Sequence, residues 1–220
     1  MEKGIENALK AVRSHYPEVS ESDFDALVAT FENHIPFMDK VKQLDEVIAK
    51  NEVLNGLSEV LFDLLIVNFL STDVKALEED YLESPEWMEI EEKTIDRGTE
   101  LLNLFLYIAE ASDLKIKPSL EDYLKEFLLV DEDEFQDEYL IYEQVIANQL
   151  LMESDLSEIS RIAKALDIDD PLKELFYPLM GFFYNPNPKE EDLKEYQKHA
   201  LEIPEDWVIY DILVAYHNNI

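Results

Sequence analysis

The chain has 220 residues, a mass of 25.7 kDa, 47% apolar residues and 51 acids against 18 bases, for a formal charge of −33. The apolar content is enough for a sizeable core, while four glycines and no cysteine argue against glycine-rich phosphate loops, tight-hairpin β folds, disulfides, thiolate zinc sites and cysteine nucleophiles. The charge opposes binding to nucleic acid or anionic membrane, since both rely on Lys and Arg displacing counterions from phosphates.

Apolar residues recur at intervals of three and four from the start, as in Ile5, Leu9, Val12 and then Phe24, Leu27, Val28, Phe31, with no comparable alternation of period two. This predicts an all-α protein. The N-terminal stretch has no uninterrupted apolar segment or cleavage signature of a secretory signal and reads as an amphipathic helix over 2–15. Helices follow at 21–34 and 36–50, so that 1–52 forms an N-terminal helical cap. It holds eleven acids and six bases, whereas 53–220 holds forty and twelve, a balance of −28.

A helix over 53–70 contains the most apolar run, Val60 to Leu70, which Asp63 and Asn68 interrupt and which falls short of the ~20 residues needed to cross a bilayer. The chain is therefore expected to be cytoplasmic, without a membrane or nucleic-acid partner. Helices over 73–82 and 85–111 come next, the second opened by Ser84-Pro85, a capping hydroxyl before a proline whose missing N–H costs nothing in the first turn. Gly98 within it predicts a close helix contact.

Acids crowd this region, and Glu89, Glu92 and Asp96 fall at i, i+3 and i+7 on one helical face, with Glu79 and Glu86 nearby. An acidic face of this kind suits a basic protein partner. The alternative is a Mg²⁺-dependent all-helical nucleotide pyrophosphatase, whose facing carboxylates would ligate the ion, although a second carboxylate pair and basic phosphate ligands are missing.

Further helices are predicted at 119–130, 134–153, 156–166, 171–184, 188–200 and 205–218, with capping signals at Ser119/Asp122, Asp155/Glu158, Asp170-Pro171 and Asn187/Glu190. The acids from Asp131 to Glu138 read as a solvated helix start. Pro178 predicts a kink or break near Tyr177. The aromatic residues Phe176, Tyr177, Phe182, Phe183 and Tyr184 encircle their helix, and Tyr177 and Tyr184, whose hydroxyls want water or a partner, are expected to be partly exposed binding residues.

Leu65–Asp73 with Leu77–Leu82 is similar to Leu104–Asp113 with Leu120–Leu124, about 40 residues on, and a third copy is traced over Ile146–Leu166. Such helix–turn–helix units bury their apolar faces by stacking on their neighbours. Tyr177–Tyr184, Asp192–Pro204 and Trp207–Tyr216 together resemble a tetratricopeptide repeat and the first helix of the next. The resemblance implies stacked antiparallel helix pairs, with Gly181 and Ala200 as the small residues that meet between helices and Pro204 as the inter-repeat proline. It covers about 45 residues, and Leu193 stands where a small residue is usual.

No Gly-x-Ser-x-Gly elbow is present, and none of the four histidines has an acidic or histidine ligand three residues before it. Glu195, His199 and Glu202 share one helical face at the spacing of an ordinary exposed surface. No catalytic residue, metal ligand or cofactor is nominated. The resulting expectation is a single all-helical domain acting as a non-enzymatic protein-interaction module, with a nucleic-acid mimic or an immunity-type inhibitor of a basic toxin as a sharper version of the same idea.

Overall fold

The computed structural model describes residues 1–72, 81–131, 134–135, 141–201 and 203–218. The fold is all-α: α1 (Lys3–His15), α2 (Glu21–Glu32), α3 (Phe37–Lys50), α4 (Ser58–Thr72), α5 (Pro85–Thr94), α6 (Leu101–Leu114), α7 (Leu120–Leu128), α8 (Glu143–Ala147), α9 (Leu156–Ala165), α10 (Phe176–Tyr184), α11 (Glu190–His199) and α12 (Pro204–His217). One short antiparallel strand pair, β1 (Leu129–Asp131) and β2 (Glu134–Phe135), aligns Leu129 with Phe135 and Asp131 with Glu134. The helix start expected at 134 is thus a strand; of the helix expected over 134–153, residues 136–140 lie outside the described residues, and the described remainder forms α8 and a 3-10 turn at Gln149–Glu153.

The chain divides into two compact units, one of residues 1–102 and one of residues 103–218. In the first unit, α4 is the central element. Every residue from Val60 to Phe69 is buried, so the helix is apolar around its whole circumference, as a core helix must be. With the 3-10 turn Glu52–Leu57 before it, this stretch is 21 residues long and apolar enough by length and composition to cross a membrane, longer than the sequence run suggested.

The two polar interruptions of the run are built into the packing. Asn68 accepts the Glu2 backbone N–H at 3.2 Å and donates to the Phe31 carbonyl at 3.1 Å, tying the start of α1 to the end of α2. Asp63 holds the connection between α5 and α6. That connection corrects the continuous helix expected over 85–111: α5 stops at Thr94, and Gly98 adopts φ +87°, a left-handed conformation that suits a residue without Cβ. A Cβ at Gly98 would stand 2.5 Å from Asp63 Oδ1, so the close contact expected there is made by a loop instead of by a helix face. Residues 1–52 pack within this unit together with α4 and α5. The helix expected over 73–82 lies mostly outside the described residues.

In the second unit, α10 is the buried element, with all but Tyr184 of its residues buried, and it packs on α9, α12 and the 3-10 turn at Gln149–Glu153. The kink or break expected near Tyr177 is realised as a break in the helix expected over 171–184. Residues 171–175 form turns, α10 begins at Phe176, and Pro178 falls in its first turn, where no intrahelical N–H bond is lost. Three capping expectations hold: Ser84 accepts from Trp87 N–H, Ser119 from Asp122 N–H and Asp155 from Glu158 N–H. Asn187 does not cap α11. Its start is closed by the Asp192 carboxylate, which accepts Lys189 N–H at 2.8 Å.

Gly181 is faced by Tyr196, not by Ala200: a Cβ at Gly181 would lie 2.6 Å from Tyr196 Cε2, and Ala200 is the residue that closes α11. Packed helix pairs are compatible with a helical repeat, but the small-against-small contact of the resemblance is replaced here by glycine against an aromatic ring.

Candidate functional site

The acidic surface of the first unit is organised by α5. Ser84 caps it, Pro85 opens it, and Trp87, Ile90 and Thr94 form its buried stripe at i, i+3 and i+7. Trp87 stacks on Phe69 of α4, with centroids 6.3 Å apart and planes within 7°, and Phe69 in turn meets Phe37 of α3 at 4.8 Å. This docking fixes which face of α5 is turned outward. Glu86, Glu89 and Glu92 are exposed on it, and Asp96, two residues beyond the helix end, is exposed as well. Glu79 lies outside the described residues.

Glu89 pairs with Lys93, whose ammonium holds its carboxyl below the usual range. Among the described residues no three histidine or carboxylate side chains are grouped closely enough to hold a metal ion. His199 Nε2 lies 3.0 Å from Glu195 Oε1 on the exposed face of α11, and Glu202 lies outside the described residues. Two apolar side chains, Met88 (62% exposed) and Ile95 (80% exposed), stand among the acids at i and i+7. The outward surface of α5 is therefore acidic and apolar together.

The two tyrosines expected to be partly exposed separate in the structure. Tyr184 is exposed, at the end of α10. Tyr177 is completely buried, which removes it from any binding surface. Its hydroxyl donates to the Tyr196 carbonyl at 3.1 Å. That carbonyl lies in the last turn of α11, where Ala200 N–H bonds instead to Gln197, so the Tyr177 hydroxyl satisfies an acceptor that the helix leaves open. Tyr196 stacks on Tyr210 at 3.9 Å with planes within 8°, and burial pushes the hydroxyl of Tyr196 well above the ordinary tyrosine range.

The most perturbed acids are two that the sequence does not single out as site residues. Asp63 has no solvent exposure, and burial pushes its carboxyl up to about 8, held back by bonds from the Thr99 hydroxyl and amide and raised further by Glu59 and Glu100. Thr99 N–H donates to Oδ1 at 3.0 Å and Thr99 Oγ1 to Oδ2 at 2.6 Å. Beside it, Arg97 lies over the Phe62 ring and grips Asp45 through both terminal nitrogens, at 2.6 and 3.0 Å. The α5–α6 connection is thus latched to α4 by the buried Asp63 carboxyl group and to α3 by a bidentate ion pair.

In the second unit, Asp206 in the first turn of α12 is also fully buried. Its Oδ2 accepts Leu201 N–H at 2.8 Å, while Oδ1 has no hydrogen-bond partner among the described residues. Burial raises its carboxyl to about 7, opposed by the Leu201 N–H and by Lys164. Both acids are fully buried and accept backbone N–H groups inside a core.

No protein family, curated protein or solved structure matches the chain. The class that stands on the structure is that of an all-α protein of mutually packed helices.

Proposed function

We propose that the chain is a non-enzymatic protein-interaction module that recruits a basic partner protein to the outward face of α5. The observation that supports this reading is the exposure of Met88 and Ile95 among Glu86, Glu89, Glu92 and Asp96. Acids alone would serve solubility, whereas two large apolar side chains left in water on the same face have a cost that a partner would relieve. A partner helix with basic residues flanking an apolar stripe is complementary in both respects, and the net charge of −33 would steer it at long range. The tetratricopeptide-like reading of 177–216 fits the same role, since stacked helix pairs commonly serve as protein-binding scaffolds.

The test is capture of proteins from the native host on the immobilised chain, at low and moderate salt, compared with a Met88→Gln/Ile95→Gln variant and a Glu89→Gln/Glu92→Gln variant. Recovery of basic proteins, weakened by salt and by both variants, supports the proposal. Recovery of only acidic or uncharged proteins, or of basic ones with equal yield from all three chains, overturns it.

A further inference from the structure

The second unit contains a cleft of about 520 Å³ between the α6–α7 connection with the start of α7 and the 3-10 turn Gln149–Glu153, with α10 beneath. Its size is that of a small-ligand pocket. Leu120 and Phe183 are buried and form an apolar base with the half-buried Met152, while Leu150 at the edge is 78% exposed.

One wall is held rigidly before any ligand arrives. At the end of α6, Ile116 N–H bonds back to the Ala111 carbonyl at 2.9 Å and Lys115 N–H to the Ser112 carbonyl at 3.0 Å. Lys115 takes φ +58°, the left-handed position that this helix ending normally gives to glycine. The Tyr107 hydroxyl then holds Ser119 from both sides, accepting its N–H at 2.9 Å and donating to its carbonyl at 3.1 Å. A non-glycine residue in left-handed conformation followed by a doubly held residue is a loop whose shape is over-determined by its surroundings.

The charges at the cleft have a definite pattern. Lys125 and Glu121 lie 2.5 Å apart on α7 and neutralise each other. Lys117 on the held loop and Glu153 on the 3-10 turn line the cleft from different elements, and neither has an ion-pair partner among the described residues. An anion would meet the repulsion of a chain carrying −33, but a zwitterion carries no net charge to be repelled.

We propose that this cleft binds a short zwitterionic peptide with an apolar side chain. Its carboxylate pairs with Lys117, its ammonium with Glu153, and its side chain covers Leu120, Met152 and Phe183. The proposal does not depend on the role assigned to α5.

The probe is the dipeptide Leu-Phe with free termini, titrated into the intact chain and followed by calorimetry and by backbone amide resonances. The control is the same dipeptide acetylated and amidated, which keeps the apolar body and removes both charges. Saturable binding that shifts the amides of Lys117, Ser119, Gln149 and Glu153, at least tenfold weaker for the capped dipeptide, is the expected result. Lys117→Gln and Glu153→Gln, both at exposed positions, should each weaken the free dipeptide severalfold and leave the capped one unchanged. No saturable binding at millimolar dipeptide overturns the proposal, as does equal affinity for both dipeptides or unchanged affinity in both variants.

Discussion

Asp63→Asn is the most informative single change, because it separates the charge of the buried carboxylate from its hydrogen bonding. The amide has nearly the same shape, its oxygen can still accept Thr99 N–H, and its nitrogen can donate to Thr99 Oγ1. Only the ionised state is removed. With the folded carboxyl near 8 and the unfolded one near 3.8, the folded state holds a proton that the unfolded state has released, so stability falls as pH rises through that window. The stabilisation is fully present below the unfolded value and is lost as pH passes about 8. At ~1.36 kcal/mol per pH unit, the part lost between pH 6 and pH 9 is about 2–3 kcal/mol. The assay is urea unfolding at pH 6, 7, 8 and 9 in a Trp207→Phe background, where Trp87, buried beside Phe69, is the only tryptophan and reports on the first unit. Asp206, raised to about 7, titrates in the same range in both chains and cancels in the difference. The Asp63→Asn variant should gain on its parent from pH 6 to about pH 8 and level off towards pH 9. A difference independent of pH, or a loss that grows towards pH 9, would refute the reasoning.

Three further outcomes test the packing. Gly98→Ala combines a left-handed φ with a Cβ 2.5 Å from Asp63 Oδ1, so it should lower stability by about 1–3 kcal/mol in the same Trp87 assay. Gly181→Ala sets a methyl 2.6 Å from a Tyr196 ring that is itself stacked on Tyr210, and a loss of about 1–3 kcal/mol is expected in the Trp207 signal of a Trp87→Phe background. Tyr177→Phe uncovers the buried carbonyl of Tyr196 and should cost about 1–3 kcal/mol by thermal or urea unfolding, whereas Tyr184→Phe, at an exposed position, should stay within about 0.5 kcal/mol.

The elements that periodicity reveals best are those with an apolar stripe and clear ends: α1, α2, α3 and α9 lie within a few residues of where the sequence places them. The failures have particular physical causes. The break between α5 and α6 is hidden because apolar spacing continues through Ile95 and Leu101, and what stops the helix is a contact from α4, thirty-five residues earlier, that favours glycine at position 98. The first part of the helix expected over 171–184 gives way to turns because the Asp170 side chain bonds Leu172 N–H locally and Lys173 reaches across to the carbonyls of Ala163 and Leu166, closing α9. The cost of burying a hydroxyl makes Tyr177 read as exposed, and its acceptor is a carbonyl nineteen residues away that no local pattern announces.

The acids show the same limit from the other side. Net charge treats all 51 alike, yet Asp63 and Asp206 lie inside cores while Glu86, Glu89 and Glu92 face water. Asp63 carries a legible signal, since an acid flanked on every helical side by Val, Leu, Phe and Ile has no exposed face to occupy and must be serving an interior donor. Asp206 carries none, because an acid in the first turn of a helix is what the macrodipole favours at any exposed N-terminus. The exposed acids of α5 are equally silent in isolation: the distinction between a solubilising surface and a binding surface rests on Met88 and Ile95, whose exposure follows from Trp87 having taken the inward position against Phe69. One aromatic contact in the core thereby decides which residues a partner could meet.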